Sequence, residues 1–172
     1  VKYEKEYEVQ KMRYIQYYNA PIGLLGIVEE EGAITHITFG EETLQEAIKE
    51  GTLQEERTSL LQDAIRQLEA YFLGELEVFN LPLCPEGTPF MKEVWQALQA
   101  IPYGEIRSYK DIAEAVGRDK AYRAVGLANN RNPIPIIIPC HRVVGANGKL
   151  VGYAGGLDIK THLLELEKQA CH

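Results

Sequence analysis

One cysteine and one histidine stand side by side in the run Ile134-Pro135-Ile136-Ile137-Ile138-Pro139-Cys140-His141-Arg142-Val143-Val144. A thiolate is a strong nucleophile and a neutral thiol is not. With an ordinary pKa of about 8.5, a cysteine needs a neighbour that lowers this value or takes the proton, and imidazole is the usual one. The apolar stretch reads as a buried strand ending at a reactive thiol. Consecutive side chains leave an extended backbone on opposite sides. Cys140 and His141 therefore cooperate only if Pro139 forces a turn or a water carries the proton between them. Read alone, Cys140 is equally a small buried hydrophobe, as most free cysteines are.

Elements on both sides must position this pair. In the second half, Thr88 caps a helix that has Pro89 at its first position and Val94, Trp95, Leu98 and Ile101 at helical spacing, ended by Pro102-Tyr103-Gly104. Ser108 with Asp111 three residues on forms a capping box, and Ile112, Ala113 and Val116 give a short apolar stripe ending at Gly117. A further helix covers about Lys120 to Asn129. Two short helices joined by a tight glycine turn make the helix-turn-helix pattern, whose second helix enters a DNA groove. Asn147-Gly148 between Val143-Val144 and Leu150-Val151 predicts a hairpin and hence a winged arrangement. The first half reads as an α+β unit. Ile22–Val28 and Ala33–Phe39 are strands flanking a turn at Glu29 to Gly32, and Ser59 caps a helix carrying Leu60, Leu61, Ala64, Ile65, Leu68, Tyr71 and Phe72 that closes at Gly74. A strand from Leu76 to Leu81 and a linker at Leu83–Gly87 follow, dividing the chain into residues 1–85 and 86–172.

Charge separates the same two halves. The net charge of -7 argues against a nucleic-acid binder, but 7 Lys/Arg face 16 Asp/Glu before Pro85, and 11 face 9 from Pro85 onward. Between Arg107 and Arg142 the count is 7 basic against 3 acidic residues, so DNA would meet the second half with modest, salt-sensitive affinity. No run of about 18 apolar residues is present, and the charged start (Val1 to Lys5) is unlike a signal sequence. Cys84, Cys140 and Cys171 lack metal-ligand or disulfide-framework spacing. His36, His162 and His172 are spread over separate elements, and no metal site is expected.

Taken together, Tyr103 to Tyr109, Ala121 to Gly126, Asn132-Pro133, the Pro-Cys-His-Arg-Val core at 139–143 and Gly152 to Leu157 resemble the O6-alkylguanine-DNA alkyltransferase family, the methylated-DNA–protein-cysteine methyltransferases. The likeness is dense from about Thr88 to Glu167 and loose before it. It implies a small ribonuclease-H-like amino-terminal domain without a catalytic role of its own, followed by a winged helix-turn-helix domain. It further implies single-turnover transfer of an alkyl group from guanine O6 to Cys140. His141 accepts the thiol proton through a water, and Glu167 orients His141. Tyr109 supports the leaving purine, and Asn132 fixes the active-site turn. Arg123 enters the duplex in place of the extruded base. Ser108, Tyr109, Lys110, Arg118, Ala121 and Ala124 lie along the DNA, and Val143, Tyr153 and Ala154 wall the pocket. Relatives carry serine where this chain has Ala154, which removes one hydroxyl. The implied partner is duplex DNA containing O6-alkylguanine, met by a cytoplasmic monomer without a cofactor. O4-methylthymine as a substrate and cooperative binding along DNA stay open.

Three other classes have distinguishing features. Lesion-binding relatives that transfer nothing lack the nucleophile that Cys140 supplies. A winged-helix transcription factor with a structural cysteine would accept no alkyl group. A cysteine hydrolase would turn over and need an oxyanion hole.

Overall fold

A computed structural model describes residues 11–171. The charged start at Val1 to Lys5 and His172 lie outside the described residues. The amino-terminal half is built on a four-stranded sheet of order β3-β2-β1-β4, with β1 at Arg13–Ala20, β2 at Gly23–Glu30, β3 at Ala33–Phe39 and β4 at Leu53–Glu55. β1, β2 and β3 form an antiparallel meander, and β4 joins β1 in parallel after a short helix α1, Gln45–Lys49. The β2–β3 hairpin falls where the sequence placed it, while β1, α1 and β4 were not anticipated. β1 is broken by polar residues and β4 is three residues long, so neither carries a strong period of two.

Helix α2, Ser59–Phe72, packs on the sheet through Leu61, Ala64, Leu68, Tyr71 and Phe72. Its cap is Thr58 and not Ser59: the Thr58 hydroxyl accepts from the Leu61 N–H at 3.1 Å. Both residue types cap helices, and the backbone leaves the extended region at Thr58. Gly74 ends the helix with φ of 74°, a conformation that costs glycine no steric penalty.

The strand expected at Leu76–Leu81 does not form. The Gln67 side chain takes the place of a neighbouring strand, accepting from Asn80 N–H at 2.8 Å and donating to Asn80 O at 3.0 Å. Pairing with the edge of β3 instead falls on a single bridge, where Ile34 N–H donates to Pro82 O and Cys84 N–H to Ile34 O, both at 2.8 Å. Pro82 and Pro85 have no N–H with which to extend it.

In the second half, α3 (Pro89–Gln99) begins at the predicted Thr88 cap, and α4 (Tyr109–Ala115) begins at the predicted capping box. Both bonds of that box are present: Asp111 N–H to Ser108 Oγ at 3.0 Å and Ser108 N–H to Asp111 Oδ2 at 2.8 Å. α5 runs from Tyr122 to Asn130, two residues later than expected at its start, and packs on α3 and α4. Trp95 of α3 is wholly buried and donates from Nε1 to Ala128 O at 2.9 Å. The Asn147-Gly148 turn exists, with both residues at positive φ and Gly145 N–H on Lys149 O at 2.7 Å, but no hairpin ladder extends from it. Instead Val143–Val144, strand β6, pairs in parallel with β5, Arg107–Ser108. The carboxyl-terminal helix α6 spans Leu157–Ala170. One apolar core runs through both halves, from Leu25, Ile27 and Tyr71 to Trp95, Ile138 and Leu163.

Candidate active site

The approach to Cys140 is a buried loop and not the expected strand. Ile136 takes a φ of 75°, and Pro135 bridges Ile138 within the same short segment, so the chain folds on itself. Asn132 holds this fold from inside: its Nδ2 donates to Ile138 O at 2.7 Å, and its Oδ1 accepts from Ile134 N–H at 3.0 Å. Pro139 starts a single 3-10 turn, closed by Arg142 N–H on Pro139 O at 3.0 Å, that carries Cys140, His141 and Arg142. This turn meets the condition for cooperation between adjacent residues, since the extended geometry that would separate them is abolished.

Cys140 and His141 are both buried. Burial pushes the thiol up to about 11, and the Asn132 hydrogen bond and the charge of Lys160 offset it in part. Burial likewise lowers the pKa of the His141 imidazole, against the pull of Glu167. The resting pair is therefore a neutral thiol beside a neutral imidazole, and a proton must move when the sulfur reacts.

Glu167, on α6 and 1% exposed, collects the donors of the site. His141 Nε2 lies 2.5 Å from its Oε2, Tyr71 Oη donates to that oxygen at 2.6 Å, and Arg142 reaches both oxygens from Nε at 2.7 Å and Nη2 at 3.2 Å. Gly104 adds its N–H to Oε1 at 3.2 Å. Gly104 has a φ of 78°, and a side chain there would run into Cys171 Sγ. Burial raises the Glu167 carboxyl pKa, but the bonds from His141, Arg142 and Tyr71 outweigh it and hold the group well below the usual carboxylate range. An ionised carboxylate only accepts, so His141 carries its proton on Nε2. Its Nδ1, with no partner among the described residues, is the ring nitrogen left as a base.

A buried lysine on α6 organises the opposite wall. Lys160 Nζ donates to Val143 O at 2.7 Å, Val151 O at 3.1 Å and Gly152 O at 3.5 Å, and burial lowers its pKa. Tyr109 Oη donates to the same Val151 carbonyl at 3.2 Å. Tyr153 follows this segment, its ring edge-on to Phe39 at 6.0 Å and its hydroxyl without a partner among the described residues. Ala154 is exposed. The Cys140 carbonyl accepts from Asn129 Nδ2 at 3.3 Å and from Val143 N–H, which takes both of its acceptor positions, while the Val143 carbonyl accepts from Lys160 Nζ and keeps a second.

Along the helix-turn-helix, Lys110, Arg118, Arg123 and Ala124 are exposed and Ala121 is half-buried. Arg118 is partly committed to α3, with Nη2 3.7 Å from Glu93 and its guanidinium 5.0 Å over the Phe90 ring. Ser108 is occupied as the cap of α4. Sequence reasoning missed Tyr71, Asn129, Arg142 and Lys160 as parts of the site. Tyr71 sat within an apolar stripe and Arg142 within the motif, but nothing local marks either as a partner of Glu167. Among the described residues, no three His, Cys, Asp or Glu side chains gather to hold a metal.

Comparison with known proteins agrees with this architecture. Residues 13–85 match the ribonuclease-like domain of 6-O-methylguanine DNA methyltransferase, and residues 89–169 match its DNA binding domain. The chain belongs to the 6-O-methylguanine DNA methyltransferase family. Among the family's curated members, the methylated-DNA–protein-cysteine methyltransferase of Methanosarcina barkeri is 52% identical over 155 residues, covering 90% of this chain and 97% of that protein. The constitutive enzyme of Bacillus subtilis is 48% identical over 161 residues, covering 91% and 96%. The crystal structure of Mycobacterium tuberculosis O6-methylguanine methyltransferase superposes with a TM-score of 0.84 at 45% identity, covering 92% of this chain and 94% of that one. A structure of the mycobacterial protein in complex with DNA gives 0.83 at 44% identity, covering 91% and 94%. The expected α+β fold, a ribonuclease-like unit followed by a helical DNA-binding unit, is borne out. So is the enzyme class, a methylated-DNA–protein-cysteine methyltransferase that repairs DNA.

Proposed function

We propose that this chain removes the alkyl group from O6 of guanine in duplex DNA by direct displacement onto Cys140, one event per molecule. The observation that carries this reading is the Glu167–His141 pair, which leaves Nδ1 of a buried neutral imidazole as a base one residue from a buried thiol. The thiol proton passes through a bridging water to His141 Nδ1, and Glu167 balances the imidazolium that forms. The Cys140 sulfur then forms a bond to the alkyl carbon as the carbon–O6 bond breaks. The electron pair stays with the purine, which regains one proton from the site and leaves as guanine. Sulfur ends as a thioether, which has no route back to a thiol here, so the protein is consumed.

The target base must leave the stack, because its reactive atom is out of reach inside a duplex. Arg123, exposed in the first turn of α5, fills the gap in this reading, with Ala121 and Ala124 allowing close approach to the backbone. The Val143 carbonyl accepts from the guanine amino group with its remaining lone pair, between Tyr109 and Tyr153. In this reading residues 86–172 bind DNA and carry the thiol, and residues 1–85 support them.

The test is intact-protein mass and peptide mapping after incubation with an O6-methylguanine duplex. One added methyl group, about 14 Da, confined to Cys140 is the expected product. No transfer, or transfer to Cys84 or Cys171 in a Cys140→Ala variant, overturns the assignment.

A further inference from the structure

The carboxylate that holds His141 is also held from the other half of the chain. Tyr71 lies on α2, wholly buried, 96 residues before Glu167. Its ring is fixed by edge-on contacts to Phe72 at 5.3 Å and Tyr103 at 6.2 Å and by Phe79 at 5.4 Å. The hydroxyl donates at 2.6 Å to Oε2 of Glu167, the oxygen that receives His141 Nε2. Two further contacts from the amino-terminal sheet reach the same site. Ile37 N–H donates to Pro133 O at 2.9 Å, beside the Asn132 clamp, and Phe39 packs on Tyr153.

We propose that Tyr71 is a positioning residue of the transfer reaction, through which the amino-terminal half sets the orientation and proton affinity of the His141–Glu167 pair. The inference rests on the proton relay described above. A phenol donating to Oε2 draws charge from that oxygen and fixes its direction. The carboxylate then holds the His141 N–H in line without binding the imidazolium so tightly that the base is protonated before the thiol arrives. Burial, and after it the charge of Glu167, keep the phenol itself protonated and a donor.

The test uses the full chain with Tyr71→Phe, which keeps the ring and deletes the hydroxyl. The rate of methyl transfer from an O6-methylguanine duplex is followed from about pH 5 to about pH 9, with binding to undamaged duplex measured alongside. Without the hydroxyl, Oε2 offers more charge to the imidazolium, so His141 keeps its proton to higher pH. The acid limb of the profile moves up by about one pH unit, with roughly a tenfold loss of rate near pH 6 and unchanged DNA binding. A limb that stays in place overturns the proposal, whether the rate is unchanged or uniformly lower, because a purely structural role lowers the rate at every pH alike. If Tyr71→Phe does not fold, 3-fluorotyrosine at position 71 supplies a stronger donor in the same shape. The limb then moves to lower pH, and no movement overturns the proposal. A native profile with no acid limb would instead remove His141 as the base, a separate failure of the relay itself.

Discussion

Replacing Glu167 with glutamine keeps the side-chain shape and removes the negative charge at the centre of the site. The largest consequence falls on Arg142, which is 6% exposed and sends both Nε and Nη2 to this carboxylate, with Nη1 on Ile101 O at 2.7 Å. Removing one partner of a buried ion pair leaves an uncompensated charge, at a cost of about 3–5 kcal/mol. The glutamine carbonyl still accepts from part of the donor set, so the expected loss is about 3 kcal/mol, a large share of the roughly 5–15 kcal/mol that holds a domain together. In urea unfolding with a slope of about 2 kcal/mol/M, the midpoint falls by roughly 1.5 M at unchanged slope. The pH dependence gives a second check. The carboxyl has an ordinary value of 4.5 and a folded value lowered to about 2, so its stabilisation is complete above pH 4.5 and is lost as pH falls toward 2. The gap between native protein and Glu167→Gln therefore narrows across that window. A midpoint within about 0.3 M of native, or a gap that widens as pH falls, would refute Glu167 as the compensating charge.

Other outcomes follow from the same geometry. The transfer rate of the native protein is level from neutral to mildly alkaline pH and falls below pH 6.5, because burial lowers the His141 pKa from that value and raises the thiol to about 11; a rate that climbs through pH 8.5 would mean a free thiolate mechanism. Arg123→Ala slows repair of duplex substrate about tenfold or more while sparing reaction with free O6-benzylguanine, measured by mass gain; equal losses on both would remove the base-extrusion role. Lys160→Met leaves the Val143, Val151 and Gly152 carbonyls without their cation, and is expected to cost about 1–3 kcal/mol in urea unfolding and to slow reaction with free O6-benzylguanine. Unaltered reaction with the free base would show that Lys160 does not shape the pocket.

Local chemistry was legible without coordinates wherever a few neighbouring residues decide it. The Thr88 cap, the Ser108–Asp111 box and the β2–β3 hairpin each depend on side chains within a turn of one another. Misreadings came where a side chain outside the misread run took over its backbone. Ile134 to Pro139 has the composition of a buried strand, but Asn132 folds it into a loop, and Leu76 to Leu81 loses its strand to the Gln67 side chain. The motif residues could be named by resemblance, yet their assembly is tertiary. Glu167 lies 26 residues from His141 and 96 from Tyr71, and a lone glutamate on an amphipathic helix reads as surface until the fold buries it. Lys160 shows the same rule, since a cation can stay buried only where the fold brings carbonyls to meet it, here three from two separate segments. The sequence by itself determined which residues could react and where the chain turns. Tertiary structure alone decided which of them share a charge, because burying a charge is tolerable only beside partners that long-range packing supplies.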